Sequence, residues 1–464
     1  MTSTPTGRTR AVGALAVLCL AQFLIALDYS IIYVALPSVG TDLNLSPSLL
    51  QWVVSAYALL FAGLLLVGGR VCDRFGAKSV FLVSVIVFGL ASALGGFAQD
   101  GVILLTARGT QGLAAAFLQP ATIGLISATF EAGPARSRAL AVWGAVGASG
   151  LAVGAILGGV LTAVSWRWTF LINVPLTLLA AVGGLLLLAA ASKEYRSNRI
   201  PLPAALLGTG ALLALVIGLT LVADPDSSAA RTGMALLAAV VLGAAFLANE
   251  AKSDNVMVDR SLRRTRSLNA GIVATYLYMA SVGSEFYLVT LLLQELEGFN
   301  PLYAGLGFLP LAVLVTLGNV AAGWAVERTS AGATMTAGFL ISAVGLVLLA
   351  LMLGSGSYAT HLLPGLLLSG FGHGVIYTSM FVIGTRDVSA GHQGTAGALM
   401  TTSQYLSAAV TVALLTIVLG PTPGAAEFRW AFLLTAAFAV AGMLIAPLVL
   451  RREKTAEKQP EVPA

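Results

Sequence analysis

Asp28, Arg108 and Glu285 are three ionisable residues set well inside apolar runs of the chain. A charge at the centre of a bilayer costs about 2.5–3.5 kcal/mol even on lenient insertion scales, so a residue kept there points to function and to a partner. Two chemistries suit this set. Asp28 and Arg108 could form a structural ion pair, but one arginine cannot fully neutralise two carboxylates. Glu285 is therefore the leading candidate for a proton carrier and Asp28 the second. A carboxylate in a low-dielectric cavity can hold a proton, and the anion left after release attracts a cationic or hydrogen-bonding ligand.

Other chemistries are excluded. Cys19 and Cys72 are too few for a disulfide framework or a multi-cysteine metal site, and His361, His373 and His392 are too far apart for a local ligand cluster. No phosphate-cradling G-x-x-x-x-G-K-[ST] loop occurs, which rules out an ATP-driven pump with its own nucleotide-binding domain. No nucleophile and base stand in a catalytic arrangement, so an enzyme is not expected. Of the 464 residues, 58% are hydrophobic and 10% charged, with a mean hydropathy of +0.91; a soluble chain carries about 25% charged residues. The elements that position the three charges must cross a membrane.

Crossing about 30 Å of hydrocarbon takes about 20 residues at 1.5 Å each. Apolar runs of that length recur near 11–36, 49–69, 79–97, 103–129, 138–163, 168–190, 203–222, 231–249, 269–294, 302–325, 333–354, 362–384, 394–419 and 429–450. They predict fourteen transmembrane helices. Arg8 and Arg10 precede the first run as in a secretory signal, but the run is long, contains Asp28 and lacks a clean cleavage site, so it reads as a retained span.

An even number of spans puts both termini on one side, and 21 of the 25 basic residues fall on that side. Arg167, Arg231 and Arg429 fall on the other, and Arg108 within a span. The positive-inside rule then makes both termini cytoplasmic in a multi-pass protein of the cell membrane. The outer loops, with Asp224, Asp226, Glu295 and Glu297, are acidic through exclusion of basic residues. The longest linker, 250–268, carries five basic residues that fix topology rather than bind nucleic acid. Asp28 lies about 25 Å and Glu285 about 24 Å from the cytoplasmic ends of their spans, and Arg108 about 8 Å in from the outer end of its own. All three converge on the outer third of the membrane.

The chain also repeats itself. Pro47 recurs at Pro301, Gly69 at Gly323, Asp73 at Glu327 and Arg74 at Arg328, each pair 254 positions apart. One offset makes the second and tenth spans equivalents, each preceded by proline and followed by a Gly-x-x-x-acid-Arg turn. Six spans per half leave the seventh and eighth as an insertion.

The first of these turns reads GGRVCDRFGAKS from Gly68 to Ser79. Gly69 lets two helix ends approach, Asp73 can cap and pair at a helix terminus, and Arg74 and Lys78 can hold carbonyl ends or anionic lipid. With Gly76, these residues match the G-x-x-x-D-R-x-G-x-K loop of the major facilitator superfamily. LDYSIIYVALP (Leu27 to Pro37), RGTQGLAAA (Arg108 to Ala116), GLAVGAILGG (Gly150 to Gly159) and WRWTFLINVP (Trp166 to Pro175) follow in order. Together they resemble the fourteen-helix drug:proton antiporter family. Ala77 departs from the family's usual second arginine and Ala155 from the proline of its antiporter motif, which leaves Gly150, Gly154, Gly158 and Gly159 as a small-residue stripe suited to close packing.

The resemblance implies an all-α membrane protein of major facilitator fold. Its parts would be a cytoplasmic tail (1–10), a six-helix bundle (11–190), a linker with two inserted transmembrane helices (191–267), a second six-helix bundle (268–450) and a cytoplasmic tail (451–464). The first, fourth and ninth spans would line a central cavity, with Asp28, Arg108 and Glu285 coupling protons to transport. The turns containing Asp73 and Glu327, with Gly323 and Arg328, would latch the cytoplasmic side. Gln111, Gln119, Tyr276, Tyr278, Tyr287, Asn319, Tyr377 and Gln404 are candidates for a substrate cavity. His373 reads as a hydrogen-bonded helix-packing histidine ahead of a proton relay, Glu131 as a loop anchor, and Trp166 and Trp168 as interfacial anchors. The expected activity is proton-driven efflux of amphiphilic or cationic drugs or metabolites by a monomer, in contact with membrane lipid and without a cofactor or nucleic acid. The alternatives are an uptake symporter of the same fold and a non-transporting membrane sensor.

Overall fold

The computed structural model describes residues 5–45, 47–131, 133–189, 201–222, 227–253, 256–299, 301–354, 357–389, 392–420 and 423–456. Lys193, Arg196, Arg199, Asp224, Asp226 and Lys458 lie outside the described residues, as do the side chains of Arg8, Pro47, Ala155, Glu295, Pro301, Arg451, Arg452 and Lys454.

The first six long helices are α1 (Pro5–Asp42), α2 (Pro47–Phe75), α3 (Ala77–Gly96), α4 (Gly101–Thr129), α5 (Pro134–Val164) and α6, broken into Trp168–Leu171 and Asn173–Leu187. A hairpin of α7 (Leu202–Val222) and α8 (Ala229–Lys252) follows. The rest are α9 (Arg266–Leu291, continued by a π-turn Leu292–Leu296), α10 (Pro301–Gly307 and Leu309–Arg328), α11 (Ala331–Met352), α12 (Leu363–Thr385), α13 (Gln393–Leu419) and α14 (Ala425–Ala456). Among the described residues, thirteen helices are long and apolar enough to cross a membrane. The 31-residue α5 stands in the place of the fifth predicted span. In hydrocarbon every backbone polar group must be satisfied internally, which is why these apolar runs become helices. Polar residues mark several starts: Asp100, Ser228 and Ser330 accept from backbone N–H groups in the first turns of α4, α8 and α11. Gly76, at φ +87°, reverses the chain between α2 and α3 in a conformation costly for any residue with a Cβ.

The packing repeats with an offset of eight helices. α1 packs on α4, α5 and α6, α2 on α4, and α3 on α4 and α6; α9 packs on α12, α13 and α14, α10 on α12, and α11 on α12 and α14. Close approach recurs with it. A Cβ on Gly112 of α4 would lie 2.3 Å from the Tyr57 carbonyl oxygen of α2, and one on Gly370 of α12 would lie 2.7 Å from that of Leu311 on α10. The halves meet along two seams, α2 with α13 and α5 with α10. Helix α7 rests on α2 and α13. The segment after α8 is a built connection: Glu250 accepts from the N–H groups of Met257 (2.5 Å) and Val258 (3.0 Å) and pairs with Arg263 (2.6 Å), while Arg70 donates to the Val256 carbonyl.

Parity places both ends of the helical array on one face, the terminal face; the other is the far face. Trp166 corrects an expectation there. It is buried, its ring edge-on to Phe170 and its Nε1–H donating to Asp42 at 3.0 Å, because the end of α1 folds over it. Arg167 completes the clasp with hydrogen bonds to Asp42 (2.6 Å) and the Ala98 carbonyl (3.1 Å). The bonds from Arg167 and then Trp166 hold the Asp42 carboxyl below the usual carboxylate range. Trp168 remains half-exposed, as an anchoring ring requires.

Candidate functional site

Asp28 on α1 and Arg108 on α4 are both 1% exposed and form the expected ion pair, Nη1 to Oδ2 at 2.7 Å. The other carboxylate oxygen accepts from Gln111 Nε2 and Asn173 Nδ2, both at 2.8 Å. Arg108 Nε donates to the Val53 carbonyl at 2.9 Å, and its guanidinium lies 4.6 Å from the Tyr57 ring centroid. Gln111 also bonds Arg108 and Ser92. It is therefore locked into this network and not free to line a cavity. Two buried charges satisfied on several sides form a fixed element of structure.

Glu285 occupies the corresponding helix of the second half, α9, and is fully buried. Ser369 of α12 donates to its Oε1 at 2.5 Å. No basic counterpart is evident for it in the sequence; the structure sets His373, also on α12, with Nδ1 3.3 Å from Oε2. The contact lacks hydrogen-bond geometry, and among the described residues both His373 nitrogens and Glu285 Oε2 have no hydrogen-bond partner. The two halves thus hold a carboxylate in the same way, α4 or α12 reaching α1 or α9, but with different chemistry. A guanidinium keeps its proton, whereas an imidazole accepts one at one nitrogen and releases one at the other.

An aromatic chain leads from each carboxylate site to the opposite half. Beside Arg108, Tyr57 contacts Phe61 (5.7 Å between centroids), which meets Tyr405 of α13 edge-on at 4.6 Å. Beside Glu285, His373 meets Tyr278 (6.1 Å), Tyr278 meets Tyr377 (5.6 Å), and Tyr377 stacks on Trp143 of α5 (6.1 Å). Phe381 packs against both Trp143 and Tyr377. Trp143 is fully buried, yet among the described residues its Nε1–H has no hydrogen-bond partner, and neither do Gln22 Oε1 and Gln119 Oε1. Trp143, Phe381, Phe61 and Gln22 were not among the sequence candidates; an aromatic residue in an apolar span carries no signal that separates seam from core.

Of the remaining candidates, Asn319 is buried and accepts from Thr378 at 3.0 Å. Tyr287 bonds Thr416 at 3.4 Å, and the Tyr276 carbonyl accepts from Ser407 at 2.6 Å. Gln404 is half-buried and Glu131 exposed. Gly150 and Gly154 face α1, where a Cβ on Gly154 would lie 2.0 Å from Ser30 Oγ; Gly158 is buried and Gly159 half-buried further along α5. In the second half Ser403 and Ser407 of α13 occupy the matching seam and donate to the Ile272 and Tyr276 carbonyls of α9. The stripe is thus a surface of close helix packing.

On the terminal face both turns reach across to the opposite half. Asp73 accepts from the Thr395 N–H (3.3 Å) and hydroxyl in the first turn of α13, where the helix dipole favours a carboxylate. Gly69 permits this, since a Cβ there would stand 2.7 Å from that of Ala398. Glu327 takes a two-pronged bond from Arg138 in the first turn of α5, at 2.5 and 2.7 Å, with Gly323 facing Ala141 below it. Lys78 donates to the Leu185 and Leu188 carbonyls at the end of α6. Arg74 and Arg328 instead lie over Phe75 and Trp324 on their own helices, 5.2 and 3.5 Å from the ring centroids.

Buried Cys72 beside Asp73 is a native reporter of this face. In a Cys19→Ser background, Asp73→Ala should raise maleimide labelling of Cys72 severalfold, since Thr395 loses its acceptor across the α2–α13 seam, whereas Arg138→Ala, which acts at the α5–α10 seam, should leave Cys72 protected. Equal labelling in the parent and both variants would mean that the α2–α13 seam closes without Asp73.

Comparison with known proteins fits this geometry. Residues 18–412 match the family model described as the Major Facilitator Superfamily. The chain is 35% identical over 408 residues to the puromycin resistance protein pur8 of Streptomyces alboniger, covering 87% of this chain and 81% of that one. It is 34% identical over 458 residues to the cephamycin export protein CmcT of Amycolatopsis lactamdurans, covering 96% and 94%. Among solved structures, the human organic anion transporter MFSD10 superposes with a TM-score of 0.70 at 17% identity, covering 96% of this chain and all of that one.

Proposed function

The chain belongs to the Major Facilitator Superfamily, and from that membership we propose that it exports antibiotic-type amphiphilic or cationic molecules across the cell membrane in exchange for protons. The observation that carries the exchange is Glu285: fully buried, with one oxygen bonded by Ser369 and the other facing the His373 imidazole. No arginine or lysine pairs with it among the described residues, so its charge is free to change during a cycle. Asp28 is already satisfied by a guanidinium and two amides and serves as the fixed counterpart. The roles of those relatives, resistance to puromycin and export of cephamycin, support outward transport of small antibiotic-type molecules.

The terminal face is cytoplasmic, since it carries Arg70, Lys78, Arg136, Arg138, Arg263 and Arg386 while the far face carries Arg167, Arg231 and Arg429. Residues 11–190 and 268–450 act as two rocking bundles, with 191–267 inserted between them. The latches of Asp73 and Glu327 close the cytoplasmic side. In the cycle Glu285 takes a proton from outside, gives it up to the cytoplasm as the latches open, and is left as an anion that favours a cationic substrate. Re-exposure outward lets a new proton displace that substrate. One proton supports about tenfold accumulation per pH unit; each net charge moved adds about 2.3 kcal/mol per 100 mV. No cofactor enters the cycle. The ligand sits between Trp143, Tyr278, Tyr377 and Phe381, where aromatic faces suit a planar amphiphile and the unpartnered Gln22, Gln119 and Trp143 atoms await its polar groups.

Everted membrane vesicles energised to acidify their lumen test the reading, with puromycin and ethidium as probes. Accumulation in the lumen that a protonophore abolishes is the expected result. Accumulation driven by inward protons in right-side-out vesicles would mean a symporter, and no flux under either gradient for a broad panel of amphiphiles would mean a non-transporting protein.

A further inference from the structure

Glu285 lies about 18 Å, twelve residues of helical rise, from Glu297, just past the π-turn that continues its helix. The same interval separates two histidines on the neighbouring antiparallel helix. Twelve residues beyond Glu285 stands Glu297, at the end of the π-turn that continues α9. Twelve residues before His373 stands His361, in the short turn Tyr358–His361 that leads into α12. These two also meet, with His361 Nε2 3.3 Å from Glu297 Oε1. One α9–α12 seam therefore holds two carboxyl–imidazole contacts, one deep and one at the outer surface. Glu297 keeps 32% of its side chain in contact with solvent while His361 beneath it is 1% exposed. Among the described residues neither His361 nitrogen has a hydrogen-bond partner, and the same is true of His373. An imidazole in that state can take a proton on one nitrogen and release one from the other, returning neutral to its other tautomer.

We propose that Glu297 and His361 form the outer proton port of the transporter, and that protons reach Glu285 along the α9–α12 seam inside the second bundle, separately from the substrate's route between the bundles. This rests on the reading of Glu285 as the proton carrier. A proton from outer water binds Glu297, passes to His361 Nε2 and leaves from Nδ1 into the seam. At the inner end His373 takes one at Nε2 and gives one from Nδ1 to Glu285 Oε2. Leu288, Leu292, Leu362 and Leu366 are fully buried between the two contacts, so the path conducts when water enters the seam. The π-turn Leu292–Leu296 lies at its outer end, and such turns relax the regular helix ladder at functional sites.

Glu297 is the ionisable group that faces His361. Tyr358 on the same turn gives its hydroxyl to the Gly307 carbonyl, Ala331–Met352 of α11 and residues 363–371 of α12 contain no ionisable side chain, and on α14 Glu427 accepts from the Gly424 N–H while Arg429 donates to the Ala350 carbonyl.

The test measures puromycin-driven proton flux in proteoliposomes as the pH on the outer face is varied, for the parent, Glu297→Gln, His361→Gln and Glu285→Gln. Both port variants should lose about tenfold in rate at neutral and alkaline outer pH, the low end of what local charge adds to an on-rate. Both should regain the parental maximum at acidic outer pH, which a merely misfolded protein would not do. A parental pH profile in both port variants, with Glu285→Gln inactive at every pH, would overturn the port and leave the carrier intact. Coupled flux surviving in Glu285→Gln would overturn the carrier and the port with it.

Discussion

Glu285→Gln should abolish proton-driven accumulation while leaving the protein folded and able to bind substrate. The substitution is nearly isosteric. The amide oxygen still accepts from Ser369, and the amide nitrogen faces His373 Nδ1, which can accept from it. What is lost is the exchangeable proton. With one proton per cycle, a pH difference of two units supports about a hundredfold gradient of substrate; the variant should equilibrate substrate instead, so the ratio falls to about one. Counterflow, in which labelled substrate exchanges for unlabelled without any gradient, should persist, because it requires rocking but no net proton movement. Unchanged dependence of accumulation on the pH gradient would remove Glu285 from the mechanism and return Asp28 to first place.

Arg108→Ala should have the largest effect on stability. The guanidinium serves Asp28, Gln111, the Val53 carbonyl and the Tyr57 ring at once, all of them buried. Its removal leaves the Asp28 carboxylate with only two amide donors in a dry site, and breaking a buried pair from one side costs about 3–5 kcal/mol. Cys19 and Cys72 are both buried, so the temperature at which a thiol-reactive dye labels them in detergent reports unfolding directly. That temperature should drop in Arg108→Ala and recover in part in Asp28→Asn/Arg108→Met, where no charge remains unpaired. An Arg108→Ala protein of normal stability that no longer transports would instead give Arg108 a direct part in the cycle.

Span positions and the Asp28–Arg108 pair were legible for one reason: in so apolar a chain each charge is conspicuous, and two opposite charges at similar depth have few other partners. The latch turns were legible through their shared offset, but their partners were not. Thr395 is 322 residues from Asp73 and Arg138 is 189 from Glu327, and neither residue type stands out where it occurs. Glu285 was found and its neighbour was not, because a histidine counted as neutral leaves no trace in a charge map. The link needed the knowledge that α9 and α12 run antiparallel in contact. Trp166 was misplaced for a related reason: a tryptophan near a span end suits an interface anchor, and only the fold of α1 over it shows the indole bonded to Asp42.

The two turn contacts on the terminal face, alike in position, differ in how they respond to dissolved ions. Arg138 is 68% exposed in its pairing with Glu327, whereas Asp73 is 9% exposed against the start of α13. At physiological ionic strength charges in water are screened beyond about 8 Å, and exposed pairs weaken further as salt rises, while buried contacts are screened much less. Added salt should therefore loosen the α5–α10 seam and leave the α2–α13 seam fastened, so that a parting of the halves would start from one edge, as a book opens, with the spine along α2 and α13.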